Sequence, residues 1–185
     1  MKKLLLSILV LGSTVFASTF ALDTTHSKIT FKVKHMAISN VYGNFAKFDA
    51  TIDYNEKTKV FKELSANVNV SSIDTDNEKR DGHLKSKDFF DINTFPNIAF
   101  KLLSVNGDEA QALLTIKGIS KKVTLDFENN GTVKDPWGNT KLGLSFSTKI
   151  SRKAFGLTWN KLLETGSLVV GDKITITIDL EAKKI

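Results

Sequence analysis

Apolar and polar residues alternate one by one through most of this chain of 185 residues. Between Lys28 and Lys34, the side chains of Ile29, Phe31 and Val33 fall on one face and the lysines fall on the other. A period of two is typical of a strand in an antiparallel sheet with one buried and one exposed face. The pattern predicts about eight such strands, at 28–34, 47–54, 64–71, 98–102, 110–116, 123–127, 142–146 and 174–180.

Strands of this kind need cover for every apolar face. Two packed sheets provide it, and so does a single closed barrel, which also removes the exposed sheet edges. We therefore expect an all-β fold, an eight-stranded antiparallel barrel, wide enough inside for side chains or for one small ligand. Residues 74–91 break the alternation and contain Asp76 and Asn77, both good helix caps, which predicts a short helical excursion between strands.

Residues 1–17 have the composition of a secretory signal peptide. Lys2 and Lys3 precede the apolar run 4–11, which is too short to cross a bilayer core about 30 Å thick. We expect cleavage after Ala17, or alternatively after Ala21, and a single exported domain at 18–185. The chain has no cysteine, so in an oxidising compartment this domain cannot depend on disulfides or carry thiol redox chemistry.

The positive charge of the chain is spread rather than clustered. The formal net charge is +6, and the lysines are distributed along the predicted strands without an arginine-rich or aromatic-interleaved stripe. This pattern argues against nucleic acid as a partner. It favours solubility, with a transient attraction to an anionic membrane surface.

Phenylalanine dominates the aromatic residues, with 13 Phe against 2 Trp and 2 Tyr. One interpretation is an ordinary aromatic core that fills the barrel, as in a protein-binding or stress-protective module. The other is an elongated apolar cavity for a ligand, and periodicity does not distinguish the two. On the second interpretation, the predicted cavity residues are Phe31, Val33, Phe45, Phe48, Ile52, Val68, Val70, Leu84, Phe89, Phe90, Phe100, Leu114, Ile116, Leu144, Phe146, Phe155 and Trp159.

A polar cluster at Arg80, Asp81 and His83 is the strongest candidate for chemistry. A guanidinium and an imidazole together can hold an anionic or amide head group, and an Asp–His pair can act in acid–base catalysis. The alternative is a capped, solvated helix that braces a loop. His35 continues the inner face of the first run and is a further head-group candidate. The three histidines are too far apart in sequence to predict a metal site, and no nucleophile motif is present.

Several short motifs, in order and with consistent spacing, resemble those of the YceI family. They are D-x-x-H-S-x-I at 23–29, V-x-G-x-F at 41–45, the block 72–91 with its R-D-G-H-L and D-F-F-D strings, F-P at 95–96, the hairpin L-T-I-x-G-x-S-x-x-V at 114–123, and R-x-x-F-G at 152–156. Thr24 stands where the family often has proline. The resemblance covers nearly the whole of 18–185.

The resemblance implies a periplasmic, lipocalin-like barrel that encloses a long-chain amphiphile: a polyisoprenoid, an isoprenoid quinone or a fatty-acid derivative. It implies a bound lipid but no cofactor, a carrier rather than an enzyme, and head-group contacts near Arg80, Asp81 and His83. The alternative is an enzyme acting on a lipid or quinone through those three residues. Residues 155–163 offer a surface for a homodimer.

Overall fold

An antiparallel sheet that closes on itself forms the body of the protein. The computed structural model describes residues 17–164, 166 and 168–185. The predicted leader therefore lies outside the described residues except for Ala17. The strands are β1 (Ser18–Leu22), β2 (Lys28–His35), β3 (Ser39–Phe45), β4 (Phe48–Asn55), β5 (Val60–Asn69), β6 (Ile73–Asp74), β7 (Asn97–Asn106), β8 (Glu109–Ile116), β9 (Ile119–Lys134), β10 (Thr140–Ser151) and β11 (Val170–Lys184).

Eight strand positions make up the closed barrel, because three of them are shared between pairs of shorter strands. β1 pairs with β4 and β11, while β2 pairs with β3 and β11, so β1–β2 and β3–β4 are two long strands with a break in each. In the same way β6 pairs with β3 and continues β5, which pairs with β4. The remaining strands follow in chain order, and β11 returns to β1 with Phe20 opposite Lys184. The predicted eight-stranded antiparallel barrel is confirmed.

Alternation in the sequence becomes inside and outside in the barrel. In β10, Leu142, Leu144 and Phe146 are buried while the residues between them face outwards, and β8 behaves in the same way. The register of each pair keeps the inner faces together, as where Phe146 lies opposite Ile178. Burying one apolar face per strand against the others therefore specifies the pairing.

One end of the barrel is filled by an aromatic plug, formed by Phe20, Tyr54, Phe61, Phe127 and Phe146. Successive ring centroids along this series lie 6.2, 4.8, 6.1 and 4.9 Å apart. Tyr54 is the polar member, and its hydroxyl accepts a hydrogen bond of 2.8 Å from the Asn129 side chain. The plug end is therefore packed and closed.

The other end is covered by the cap, residues 75–96, which contains the helix α1 (Glu78–Lys85). Asn77 caps this helix, since its side chain accepts a hydrogen bond of 2.9 Å from the backbone of Arg80. Leu84, Phe89 and Phe90 anchor the cap to the interior. The predicted short helical excursion is confirmed. None of the helices among the described residues has the length and apolar composition needed to span a membrane.

A polar latch of Asp23, His26, Lys141 and Glu181 fastens the break between β1 and β2. The Lys141 ammonium group lies 2.7 Å from Asp23 and 2.9 Å from Glu181, and His26 lies 3.2 Å from Asp23. These contacts, with that of Lys141 first, hold the pKa of Asp23 well below its usual range, and the two carboxylates raise the pKa of Lys141. The latch thus ties the first barrel strand to β10 and β11.

Candidate ligand-binding cavity

Between the plug and the cap lies an internal cavity. The space that the centre of a water molecule can reach is about 160 Å³, and the void between the wall atoms, including its open mouth, is about 1290 Å³. Its wall presents almost entirely apolar surface and comes from most of the barrel strands and from the cap. The inward side chains therefore do not fill this part of the barrel, whereas at the plug end they pack against one another.

Most of the predicted cavity residues lie at this wall. Barrel strands contribute the majority, and the cap contributes three. Those at the wall are Phe31, Val33, Phe45, Phe48, Val68, Leu84, Phe89, Phe90, Phe100, Leu114, Ile116 and Phe146. Their role in binding a ligand stays a prediction.

Five predicted cavity residues are not among those that line this wall, and their role in binding stays a prediction. Ile52 and Leu144 are fully buried in the packed plug end. Val70 and Phe155 are buried in the core at the cap end, and the Trp159 ring packs 5.2 Å from the ring of Phe89. Alternation predicts the face on which a side chain lies but not its depth along the barrel axis.

About half of the wall residues were not predicted from the sequence. Many of them nevertheless belong to the predicted alternating strands, above all to β11. Ala50 and Ala66 lie opposite each other on β4 and β5. Two small inward residues leave space inside the barrel, so this pair could have predicted a cavity at their level. The additional wall residues are Ile29, Thr30, Ala50, Leu64, Ala66, Ile73, Ile98, Ile150, Arg152, Leu157, Val170, Ile174, Ile176, Ile178 and Leu180.

Of the described residues at the wall, Arg152 is the charged one, and it is only 3% exposed. Its guanidinium donates to four backbone carbonyls, those of Leu157 at 2.5 Å, Trp159 at 2.8 Å, Gly171 at 2.9 Å and Val170 at 3.3 Å. Burial lowers the pKa of Arg152, but an arginine remains protonated in a protein. A buried cation thus lies at the cap end of the cavity.

Arg80 and Asp81 brace the cap instead of lining the cavity. Both bind Thr75: the Arg80 guanidinium donates to its hydroxyl at 2.7 Å and to its carbonyl at 2.6 Å. The buried Asp81 carboxylate accepts from the same hydroxyl at 2.5 Å and from the backbone N–H at 3.1 Å. Neither side chain lines the wall, and a head-group role for them stays a prediction.

The two histidine candidates also lie away from the wall. His83 pairs with Asp88 at 3.0 Å, and its ring packs 4.7 Å from that of Trp159. His35 ends β2 opposite Ser39. Arg80, Asp81 and His83 therefore do not converge on the cavity, and the enzyme hypothesis loses the constellation on which it depended.

A group of potential metal ligands exists within the latch. Ligand atoms of Asp23, His26 and Glu181 lie within 4.8 Å of one another. The Lys141 ammonium group is bonded to both carboxylates. A cation would have to displace it, so the geometry favours a structural latch.

Comparison with known proteins assigns the fold to a family. The family model described as YceI-like domain matches residues 20–182. A UPF0312 protein of Staphylococcus aureus is 36% identical over 165 residues, which cover 89% of this chain and 96% of that protein. The chain belongs to the YceI family. The resemblance inferred from the sequence motifs is thus confirmed.

Solved structures agree with the assignment. A Campylobacter jejuni YceI protein is 33% identical, with a TM-score of 0.70 over 82% of this chain and 90% of that one. A polyisoprenoid-binding domain from Saccharophagus degradans has a TM-score of 0.69 over 90% of this chain and 98% of that one, at 14% identity. At that identity the second comparison shows the shared fold alone.

The YceI motifs mostly build the frame around the cavity. The D-x-x-H-S string supplies the latch, and the R-D-G-H-L string supplies the bracing of the cap. Gly43, from V-x-G-x-F, makes room for the wall: a Cβ at this position would lie 2.4 Å from the Phe31 ring. Arg152, from R-x-x-F-G, is the motif residue that brings a charge to the wall.

Proposed function

We propose that this protein is a carrier that encloses the apolar chain of a long amphiphile in the barrel and performs no chemistry on it. The observation that carries the proposal is the apolar cavity between a packed plug and a covering cap. The cargo is a polyisoprenoid, an isoprenoid quinone or a fatty-acid derivative. The polyisoprenoid-binding domain from Saccharophagus degradans, which has the same fold, supports this class of ligand.

Burial of the chain is sufficient to drive binding. Each CH₂ group removed from water contributes about 0.8 kcal/mol, so ten of them contribute about 8 kcal/mol. That free energy corresponds to a dissociation constant in the micromolar range before ordering costs. No specific head-group contact is required for capture, although one can select among ligands.

The proposed location is the periplasm, after removal of residues 1–17. The signal-peptide pattern of Lys2, Lys3 and the apolar run 4–11 supports it. A carrier in an aqueous compartment between two membranes needs to shield an apolar chain from water, which is what a covered cavity can do.

The test is to recover the native ligand. The protein is purified from its periplasmic fraction without detergent, extracted with organic solvent, and the extract is examined by mass spectrometry. We expect a long-chain amphiphile in stoichiometric amount. An extract without lipid, together with no uptake of a fluorescent acyl or prenyl probe, contradicts the proposal.

Transient membrane contact during loading is part of the proposal, and two loop tips at the cap end support it. Met36 and Ala37 adopt left-handed φ values of 50° and 64°, where hairpins commonly use Asn and Gly, and Ile38 is left 84% exposed. The neighbouring tip exposes Leu162 and Leu168, and the Met36 N–H bonds to the carbonyl of Val169. Apolar tips beside a cavity can enter a bilayer surface.

Replacing Ile38 tests this contact. Ile38→Ser should slow the transfer of a fluorescent fatty acid to anionic vesicles by about tenfold, the equivalent of about 1.5 kcal/mol of lost apolar burial. The matched control is Val60→Ser at the plug end, since Val60 is also largely exposed. Equal transfer rates for both variants and the wild type contradict a docking role for this tip.

A further inference from the structure

Arg152 is a buried positive charge that makes no ion pair with any of the described residues. Its partners are four backbone carbonyls, whose dipoles satisfy hydrogen bonds but supply no net charge. Within the described residues, no carboxylate lies within ion-pair distance of it. The Asp172 carboxylate acts on it only through space and is bonded to the Ser151 hydroxyl at 2.8 Å and the Lys153 N–H at 3.2 Å.

This arrangement is unusual because a buried ion normally has a charged partner or a metal. The chain has two arginines, Arg80 and Arg152, and uses lysine at its remaining basic positions. A guanidinium has five N–H groups. The four bonds of Arg152 leave one N–H group, on Nη2, without an acceptor among the described residues, and the bond that Nη2 makes, to Val170, is the longest of the four at 3.3 Å.

The position of Arg152 places the charge where one end of a ligand would lie. It follows β10 at the cap end and is at the wall with its neighbours Leu157 and Val170. Among the described residues, Thr30 and Arg152 are the two at the wall with polar side chains, and the Thr30 hydroxyl donates to the carbonyl of Thr177 at 3.3 Å. A chain seated against the plug would therefore bring its head towards the guanidinium.

We propose that Arg152 selects amphiphiles with an anionic head group, a carboxylate or a phosphate, over neutral ones such as alcohols, amides and quinones. This inference rests on the proposed carrier function and narrows its ligand class. In the proposed complex, the ligand anion supplies the missing counter-charge and accepts a hydrogen bond from the Nη2 N–H that has no acceptor among the described residues. In an apolar cavity without a nearby cation, neutral ligands would bind more tightly than anionic ones, because an anion loses far more hydration free energy on burial than an alcohol does.

The test compares ligands with one chain and different heads. Hexadecanoic acid, hexadecan-1-ol and hexadecanamide compete with a fluorescent acyl probe for the wild-type protein at pH 7.4. We expect the acid to bind about tenfold to a hundredfold more tightly than the other two, as for a hydrogen bond to a charged group. Binding of the alcohol or amide as tightly as the acid overturns the inference but leaves the carrier function standing. Binding of none of them contradicts the carrier function itself.

Two measurements exclude the exposed lysines as the source of the preference. The comparison is repeated in 1 M salt, which screens exposed charges more than a buried one. Arg152→Gln should abolish the preference, whereas Lys153→Gln, which removes the exposed neighbouring charge, should retain it. Loss of the preference in salt or in the Lys153 variant overturns the assignment to Arg152.

Arg152→Gln removes hydrogen bonds to four backbone carbonyls, and this loss can prevent folding. A measurement on the wild-type protein therefore tests the inference independently of that variant. Hexadecanoic acid labelled with ¹³C at the carboxyl is titrated in the complex by NMR. We expect the bound carboxyl to titrate at or below about 4.5, near an unperturbed carboxylic acid. A bound pKa above about 6 is the effect of burial without a nearby cation and overturns the proposal.

Discussion

Enlarging Ala66 distinguishes a hollow barrel from a filled one by the sign of the stability change. Ala66 faces the cavity from β5, opposite Ala50 on β4 and Phe100 on β7. In a packed interior, adding a ring forces neighbours to move and costs about 1 to 3 kcal/mol. Next to an unoccupied space the same ring removes apolar surface from water and stabilises the fold.

The cavity volume gives the expected magnitude. At about 24 cal/mol per Å³, an empty space of about 160 Å³ lowers stability by about 4 kcal/mol relative to a filled one. A phenyl ring that occupies part of it recovers about 1.5 to 3 kcal/mol. For a domain of this size, Ala66→Phe should therefore raise the melting temperature of the delipidated protein by about 3 to 12 °C.

The assay combines thermal unfolding with binding of a fluorescent acyl probe. Ala66→Phe should gain stability and lose probe binding, because the ring occupies the space that the chain needs. Ala112→Phe is the matched control for stability: Ala112 is fully buried in the plug end, so the same change should lower the melting temperature. Ala99→Phe, on the outer face of β7, should leave probe binding unchanged. If Ala66→Phe is as destabilising as Ala112→Phe and still binds the probe, the hollow interior is refuted.

Two further predictions concern the frame. The pKa of Asp23 is lowered in the folded protein, so the contact between Asp23 and Lys141 stabilises the fold fully above pH 3.8, the ordinary pKa of Asp, and is lost as the pH falls further. The pKa of Lys141 is raised, so the same contact stays intact up to at least pH 10.5. Lys141→Met should therefore lower the melting temperature at pH 7, and this difference from wild type should shrink below pH 3.8. A difference in melting temperature that does not change with pH contradicts a stabilising role for the latch. Arg80→Gln should lower the unfolding free energy by about 1 to 3 kcal/mol through lost bonds to Thr75, with an unchanged head-group preference in probe competition. A changed preference would return Arg80 to the ligand site.

The strands that alternation missed show what local pattern cannot indicate. β3 contains Gly43 on its inner face and the exposed Tyr42 on its outer face, which inverts the expected polarity. The reason is tertiary, because the Phe31 ring occupies the space where a side chain at position 43 would lie. β1 is only five residues long, too short for a period to register. Longer strands such as β10 were predictable, because several alternating side chains are buried along the strand and no single neighbouring side chain decides the pattern.

The division between plug and cavity was out of reach for a related reason. Ile52 and Ala50 belong to the same inner face of β4, yet Ile52 is fully buried in the packed end and Ala50 lies at the cavity wall. Period two assigns both to the interior. Their depth depends on the stagger of eight strands and on which aromatic rings meet across the barrel, and neither quantity is local in sequence.

The choice of arginine over lysine was the signal for the charged corner of the cavity. Arginine offers several donors in a fixed plane, so it suits positions where one side chain must satisfy several acceptors. Arg80 does this for Thr75, and Arg152 does it for four carbonyls. Arg80, Asp81 and His83 are close together in sequence, but they bind residues of the cap: Thr75 for the first two and Asp88 for His83. Arg152 has no acidic residue or histidine beside it in sequence, so local pattern did not single it out, and its burial at the cavity wall follows only from the fold.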